Sequence, residues 1–430
     1  MKTYIPKETA PGETRVAATP ETVKQMVKAG LSVFIDPGAG AGAFIPDQAY
    51  VEAGASLVDV AAASHEDDAV ARAARETTTE AETSTSSTSS SAPPRSDPPR
   101  SAPPPCAMWS SADLVLKVAP PSASEAEAMK EGAAVVGFLA PYEQRDLVRT
   151  LRDRRVSSFS MELVPRITRA QKMDALSSQA SIAGYKAVLL AAAELPKYFP
   201  LLMTAAGTIK PAKVVVMGAG VAGLQAIATA KRLGAVVHAS DIRPSVKEQI
   251  ESLGGKFIPL PEREESTEGE GGYAKQVSDA FLAEQKRIVR TFLTAADVVI
   301  CTALVPGKRA PMLVPAEAVE EMKPGSVIVD MAVAQGGNCA LSVEGKSVRE
   351  HGVLIIGEPN LPGTMPADAS LVYARNVWAL VDHLVTDAAL AVELDDEITA
   401  GCTLTHAGSV HHAPTAAAIG DTPPTNREVA

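Results

Sequence analysis

Short apolar runs alternate with longer segments of helical period along most of this chain, and glycine or proline separates them. Lys2–Pro6 and Leu31–Ile35 predict strands. Between them Pro20–Ala29 predicts a helix, with Thr19 as its N-cap and Gly30 ending it. Ala49–Ala53 and Ala61–Ala74 read as helical. Ala112–Val118, Val135–Phe138 and Ser158–Val164 predict further strands, and Glu143–Asp153 a charged surface helix. Ser177 begins a long alanine-rich helix suited to bridging two domains. Lys213–Met217, Ala235–Ala239, Phe257–Leu260, Asp297–Thr302 and Ser326–Met331 are Val- and Ile-rich runs of the kind buried on both faces of a parallel sheet. Pro244–Leu253 and Leu371–Val385 predict helices. His351–Ile356 predicts a strand returning to the first domain, and Leu394–Val410 a small hairpin.

Strands that alternate with helices in this way predict an α/β protein with parallel sheets. The expected fold is two Rossmann-like α/β domains separated by a cleft, the first discontinuous in sequence. The first domain is expected over 1–176, completed by 351–390, the second over 177–350, the hairpin over 391–412, and a disordered tail over 413–430. Residues 75–106 break the pattern. ETTTEAETSTSSTSSSAPPRSDPPRSAPPP lacks the apolar surface to fold, and predicts a disordered insertion within the first domain.

Composition narrows the function classes. A formal net charge of −11 argues against nucleic acid as a partner. The 4 cysteines are scattered without a C-x-x-C pair, so neither a disulfide framework nor a metal site is expected. The most apolar stretch, Ser181–Leu202, is interrupted by Lys186, Glu194, Pro196 and Lys197, so no transmembrane segment is expected, and with Lys2–Pro6 already a strand, no leader peptide.

The richest chemistry lies in KVVVMGAGVAGLQAIATAKRLGAVVHASD, Lys213 to Asp241. It reads as strand, glycine turn, helix, strand and acid. Gly218 permits a tight turn, Gly220 lets the backbone approach a pyrophosphate, and Gly223 lets helix and strand pack closely. The helix N-terminus offers free N–H groups and a partial positive charge to phosphates. Asp241 can accept hydrogen bonds from both ribose hydroxyls and would repel a 2′-phosphate, which favours NAD over NADP; Arg243 works against that preference. Upstream, Thr168–Asp174 is polar and dense in hydrogen-bonding groups. Downstream, EREESTEGEGG (Glu262–Gly272) followed by Tyr273 reads either as a solvated loop or as a lid over the nucleotide.

RITRAQKMDALSSQASIAGY, KVVVMGAGVAGL, DIRPSVKEQIESLGGKF, GEGGYAK, TALVPGKRAPMLV and GSVIVDMAVAQGGNC together resemble the NAD(H)-binding domain of proton-translocating NAD(P) transhydrogenase, over about Lys2 to His412 apart from the insertion. The resemblance implies NAD(H) on this chain and NADP(H) on a partner domain or subunit, with hydride passing between them. It also implies a membrane proton-channel domain as a partner and a homodimer whose contacts involve the 391–412 hairpin. The chain would then be peripheral on a membrane, at the cytoplasmic face or the mitochondrial inner membrane.

By resemblance, Arg166, Gln171, Asp174 and Ser177 hold the nicotinamide and face the NADP side, with Ile167, Thr168 and Arg169 in the same contact. Val221 joins the glycine loop at the pyrophosphate and adenosine, and Asp241, Ile242 and Arg243 form the ribose site. Gly272 and Tyr273 close over the nucleotide, and Gln285 and Leu304 make peripheral contacts. An Arg166–Asp174 pair could fix the cluster's geometry; alternatively the cluster caps the helix that begins at Ser177. Lys172 stands where a small Ser is usual. Two other readings stay open, an alanine dehydrogenase and a non-catalytic NAD-binding protein. Lys117 matches the dehydrogenase lysine, but Val135–Tyr142 contains no His to accept a proton.

Overall fold

Two parallel sheets form the frame of the computed structural model, which describes residues 1–58, 107–259, 279–305 and 307–422. The expected insertion, the 61–74 helix, the acidic loop with Gly272 and Tyr273, and the last eight residues lie outside the described residues.

The first sheet is built from β1 (Lys2–Ile5), β2 (Ser32–Ile35), β3 (Ser56–Leu57), β4 (Leu114–Leu116), β5 (Ala134–Gly137) and β6 (Ser157–Ser160). They run parallel in the order β3-β2-β1-β4-β5-β6. A small hairpin, β7 (Leu202–Thr204) with β8 (Gly207–Ile209), stands apart. The second sheet contains β9 (Lys213–Met217), β10 (Val236–Ser240), β11 (Lys256–Phe257), β12 (Val298–Cys301), β13 (Val327–Asp330), β14 (Lys346–Glu350) and β15 (Val353–Gly357). Its order is β11-β10-β9-β12-β13-β15-β14, parallel except for β14. Both sheets share the doubly wound arrangement, with a reversal of strand order beside their first strand: β1/β4 in one, β9/β12 in the other. Such a reversal opens a crevice at the carboxyl ends of the strands.

Valine and isoleucine dominate the central strands because helices cover both faces of each sheet; Val214 to Val216 and Val298 to Ile300 are buried. The helix Ala175–Glu194 connects the two cores. Ala175 belongs to the first, while Ala183, Ala187, Val188 and Ala191 belong to the second.

Three expectations are corrected. The strand near 353 does not return to the first domain. β15 pairs parallel with β13, because VLIIG is buried throughout and completes the second sheet. The return is made by the helix Pro366–Leu384, whose Tyr373, Val377, Leu380 and Val381 pack in the first core. The hairpin expected over Leu394–Val410 is confined to the second half of that stretch. The stretch forms a short helix, Glu397–Cys402, then β18 (Thr403–His406), which extends the first sheet antiparallel to β6, and β19 (Ser409–Val410), which pairs antiparallel with β18. A further pair, β16 (Val385–Thr386) with β17 (Ala389–Leu390), precedes it. Finally, the expected disordered tail begins with a helix, Ala413–Ile419. Proline near its start and Gly420 in a left-handed turn (φ 79°) delimit it, and Thr415 and Ala416 are buried.

Candidate functional site

The glycine turn connects β9 to the helix Val221–Arg232 at the second sheet's reversal. Gly218 has φ 100°, which a side chain would strain. A Cβ on Gly223 would lie 1.9 Å from the Gly218 carbonyl oxygen, so only glycine lets the helix press onto the turn. A Cβ on Gly220 would meet nothing within 4 Å, so this residue faces open space, where a pyrophosphate can approach the backbone. Gly220 is the N-cap, no side chain caps the helix, and its first turn holds no acid. The leading N–H groups are therefore available to an anion.

Asp241 directly follows β10, beside this turn. Its Oδ2 accepts the Ala219 backbone N–H at 2.8 Å, tying the acid to the glycine loop. Arg243 grips the carboxylate through Nε (3.0 Å) and Nη2 (2.9 Å), and also through its backbone N–H (2.9 Å). Burial alone would raise the Asp241 pKa, but the bonds from Arg243 and Ala219 outweigh it and hold the group below its usual range. Val221, Ile242 and Leu304 surround this corner with more than 40% of their surface exposed. Three exposed aliphatic side chains beside a ribose-type acid suit the faces of a nucleotide base.

The polar cluster lies on a 3₁₀ turn, Thr168–Met173, anchored by buried Ala170 and Met173. Arg166, Thr168, Arg169, Gln171 and Lys172 are exposed on it, and Ile167 packs on the first core. The suggested Arg166–Asp174 pair is not formed. Asp174 instead caps the bridging helix, its two oxygens accepting the Ser177 N–H (2.8 Å) and hydroxyl (2.6 Å). An N-cap acid accepts from helix N–H groups that otherwise have no intrahelical partner. Arg166 and Gln171 make no side-chain hydrogen bond among the described residues, so their donors face solvent. Arg169 pairs with Asp396 at 3.2 Å. The Gln285 side chain lies outside what is described.

Sequence reading overlooked several residues that assemble the site. Gly184 is one: a Cβ there would lie 2.1 Å from the Ala222 carbonyl oxygen. The bridging helix thus crosses the phosphate helix at its first turn. Ten residues separate Asp174 from Gly184, about 15 Å at helical rise, so one rod connects the polar turn to the phosphate helix. Thr302 donates its hydroxyl to the carbonyls of Met217 and Gly218 (3.2 and 3.1 Å), bracing the turn from β12. Asn338, fully buried, accepts from the Ala303 N–H and donates to the carbonyls of Ala303 and Pro311, fixing the loop that carries Leu304. The A-G-Y run inside an otherwise strong helix was the available signal for Gly184; Asn338 had none.

Residues 4–89 and 103–183 match the alanine dehydrogenase/PNT N-terminal domain, and residues 187–413 match the C-terminal domain of the same family. The chain belongs to the alanine dehydrogenase/PNT family. The protein named as the first part of NAD(P) transhydrogenase subunit alpha in Rhodospirillum rubrum is 44% identical over 420 residues, covering 96% of this chain and 98% of that one. The crystal structure of a transhydrogenase from Sinorhizobium meliloti has a TM-score of 0.77 at 40% identity, covering 95% of this chain and 100% of that one. An L-alanine dehydrogenase structure has a TM-score of 0.73 at 28% identity, covering 98% and 99%.

Both branches of the alanine dehydrogenase/PNT family therefore share this architecture, and the branches must be separated by side chains. Lys117, the lysine that matched the dehydrogenase, is 1% exposed and paired with Glu8 (3.2 Å) and Glu125 (3.5 Å). It follows the end of β4, beside β1, where the first sheet's strand order reverses. No helix among the described residues is long and apolar enough to cross a membrane. No group of three His, Cys, Asp or Glu residues is placed to hold a metal among them.

Proposed function

We propose that this chain is the NAD(H)-binding component of a proton-translocating transhydrogenase. It would present the nicotinamide to NADP(H) carried on a partner domain, with a membrane domain coupling the transfer to protons. The chain's residues fit NAD(H): an open Gly220, an uncapped helix N-terminus, and an ionised Asp241 held at the ribose position. The observation that carries the reading is the exposed polar turn Thr168–Met173 at the head of a helix that also touches the phosphate helix. A nicotinamide held there lies at the surface of the cleft, open to a second protein. The bound cofactors supply the chemistry, a hydride (one proton and two electrons) leaving C4 of NADH for C4 of NADP⁺.

The chain's residues need no proton acceptor for this. They orient and exclude water, holding the donor carbon about 3–3.5 Å from its acceptor. Gln171, an amide that both donates and accepts, suits the nicotinamide carboxamide. Arg166, with its guanidinium free in the cluster, suits a phosphate or a partner carboxylate. Asp174 and Ser177 fix the turn through the helix cap, and Gly272 and Tyr273 would cover the nucleotide. The lysine that matches the dehydrogenase is buried between Glu8 and Glu125, and Val135–Tyr142 offers no His beside it, which counts against an amino-acid dehydrogenase.

The test mixes the purified chain with an NADP(H)-binding transhydrogenase domain and follows NADH oxidation by an NADP⁺ analogue. Transfer that depends on the partner is the expected result, and Gln171→Asn should cut the rate more than tenfold with NADH affinity nearly unchanged. NADH formation from NAD⁺ and alanine without a partner would instead establish the dehydrogenase reading. A ribose role for Asp241 is checked separately. Asp241→Ala should weaken NADH binding about tenfold and narrow the preference over NADPH; equal affinities before and after would refute it. Because the Asp241 pKa lies below its usual 3.8, the wild-type group is ionised across about pH 5 to 8 and should contribute no titration to NADH affinity there.

A further inference from the structure

The polar turn is anchored by buried Ala170 and Met173, but its exposed side chains face solvent, and hydride transfer needs them fixed. Besides the Arg169–Asp396 pair, one side chain from a distant part of the chain grips its backbone. Asn376 lies on the helix Pro366–Leu384, 204 residues from Lys172 in sequence, and is 9% exposed. Its Nδ2 donates to the Lys172 backbone carbonyl at 2.8 Å. Its Oδ1 accepts from the Ser178 hydroxyl at 2.7 Å, the shorter of the two contacts through which that hydroxyl donates. A carbonyl can only accept, so the Lys172 contact fixes which end of the amide is NH₂, and Oδ1 must face Ser178. Lys172 and Ser178 bracket Asp174 and Ser177. One amide therefore joins the end of the 3₁₀ turn to the first turn of the bridging helix, across the irregular backbone at Asp174 (φ −72°, ψ 82°).

We propose that Asn376 is a positioning residue for hydride transfer: it holds the Arg166–Ser177 turn at the angle that presents the nicotinamide to the partner. This rests on the function proposed above. Gln179, one residue on, is fixed to the same helix through the Ala369 carbonyl (3.1 Å) and to Arg15 (2.8 Å), so the bridging helix is already anchored without Asn376. What Asn376 adds is the reach back to the turn itself. Nucleotide binding rests elsewhere, on the glycine loop and Asp241, so loss of Asn376 should separate rate from affinity. A misplacement of about 1 Å at a reacting centre costs on the order of a hundredfold in rate.

The experiment uses the full chain with the NADP(H)-binding domain and compares Asn376→Ala, Asn376→Asp, Ser178→Ala and the double variant Asn376→Ala/Ser178→Ala. Partner-dependent hydride transfer, NADH affinity and the fluorescence anisotropy of bound NADH are measured. Asn376→Ala should slow transfer about 30- to 100-fold while NADH affinity stays within about threefold. Asn376→Asp, which keeps the size and the acceptor but loses the donor to Lys172, should show most of that loss. Ser178→Ala should cost about threefold, and the double variant should be no slower than Asn376→Ala, because the two residues share one contact. Transfer within twofold of wild type, affinity falling in step with rate, or additive losses in the double variant would each overturn the proposal. Should Asn376→Ala not fold, Asn376→Asp and Ser178→Ala decide by the same criteria. Should the wild-type chain itself transfer nothing, the proposed function fails. The anisotropy then decides alone: a lower value in Asn376→Asp at unchanged affinity supports positioning, and an unchanged value overturns it.

Discussion

Gly223→Ala is expected to lose about a hundredfold in NADH affinity and to lower thermal stability, whereas Gly220→Ala is expected to lose affinity alone. The two glycines are three residues apart in one motif, but they meet different surroundings. A methyl at Gly223 would sit 1.9 Å from the Gly218 carbonyl oxygen and 3.2 Å from the Thr302 hydroxyl. Neither can yield easily, since the carbonyl is backbone and Thr302 is itself bonded to the turn. The phosphate helix must move away by roughly 1 Å, taking its N–H donors off the pyrophosphate. A hundredfold loss corresponds to about 2.8 kcal/mol, and overpacking of this kind costs about 1–3 kcal/mol in the ligand-free fold as well. At Gly220 a methyl would enter open space, so the ligand-free chain should unfold at the wild-type temperature. That methyl would occupy the space the pyrophosphate needs. Thermal unfolding and NADH titration of the two variants check the contrast. Full NADH affinity in Gly220→Ala would show that the nucleotide does not run over this turn.

The same motif explains why the second sheet was legible in the sequence. Val-rich runs buried on both faces, a glycine turn and an acid at the end of the next strand are all local patterns, and each recurs in the structure near its expected bounds. Longer-range pairing was less legible. VLIIG (353–357) has the composition of any central strand, and nothing in it specifies a second-sheet neighbour over a first-sheet one. β18 joins the first sheet through a pairing with β6 that spans about 250 residues, which no local pattern reports, and β19 is added through β18. In the site, the residues that bear polar atoms toward solvent were visible as a dense polar run. Their supports were not. Asp174 pairs with Ser177 rather than Arg166 because a helix begins there, and the helix was expected two residues later. Asn376 and Gly184 act through one amide and one missing methyl, each within an ordinary helical segment.

Lys117→Met is expected to destabilise the chain by about 3–5 kcal/mol near pH 8, the cost of leaving buried charge without its partner, or about 3–6 °C in unfolding temperature. Lys117 lies between Glu8 and Glu125, with its ammonium 5.7 Å from the Trp109 ring centre. Glu8 also accepts the Val118 N–H at 2.6 Å, and Glu125 accepts the Ser122 N–H at 2.8 Å. Each carboxylate thus keeps a backbone donor when the lysine is gone, but no countercharge. Burial is the largest influence on Glu8 and raises its pKa above 4.5, against the lowering effect of Lys117. Without the lysine the pKa rises further. A carboxyl whose pKa is raised by folding favours the folded state while protonated. That contribution is complete below 4.5 and is lost as the pH rises through the folded value. The deficit of Lys117→Met should therefore be smallest near pH 4.5 and grow toward pH 8. Glu8→Gln/Lys117→Met should recover much of the deficit at pH 8, and a double variant no more stable than Lys117→Met would show that Glu8 is not the stranded charge. Below its unfolding temperature, Lys117→Met should bind NADH and transfer hydride to the partner like wild type. The proposed function requires this, because it makes Lys117 part of a structural ion cluster. Loss of hydride transfer in a folded Lys117→Met chain would return that lysine to the chemistry.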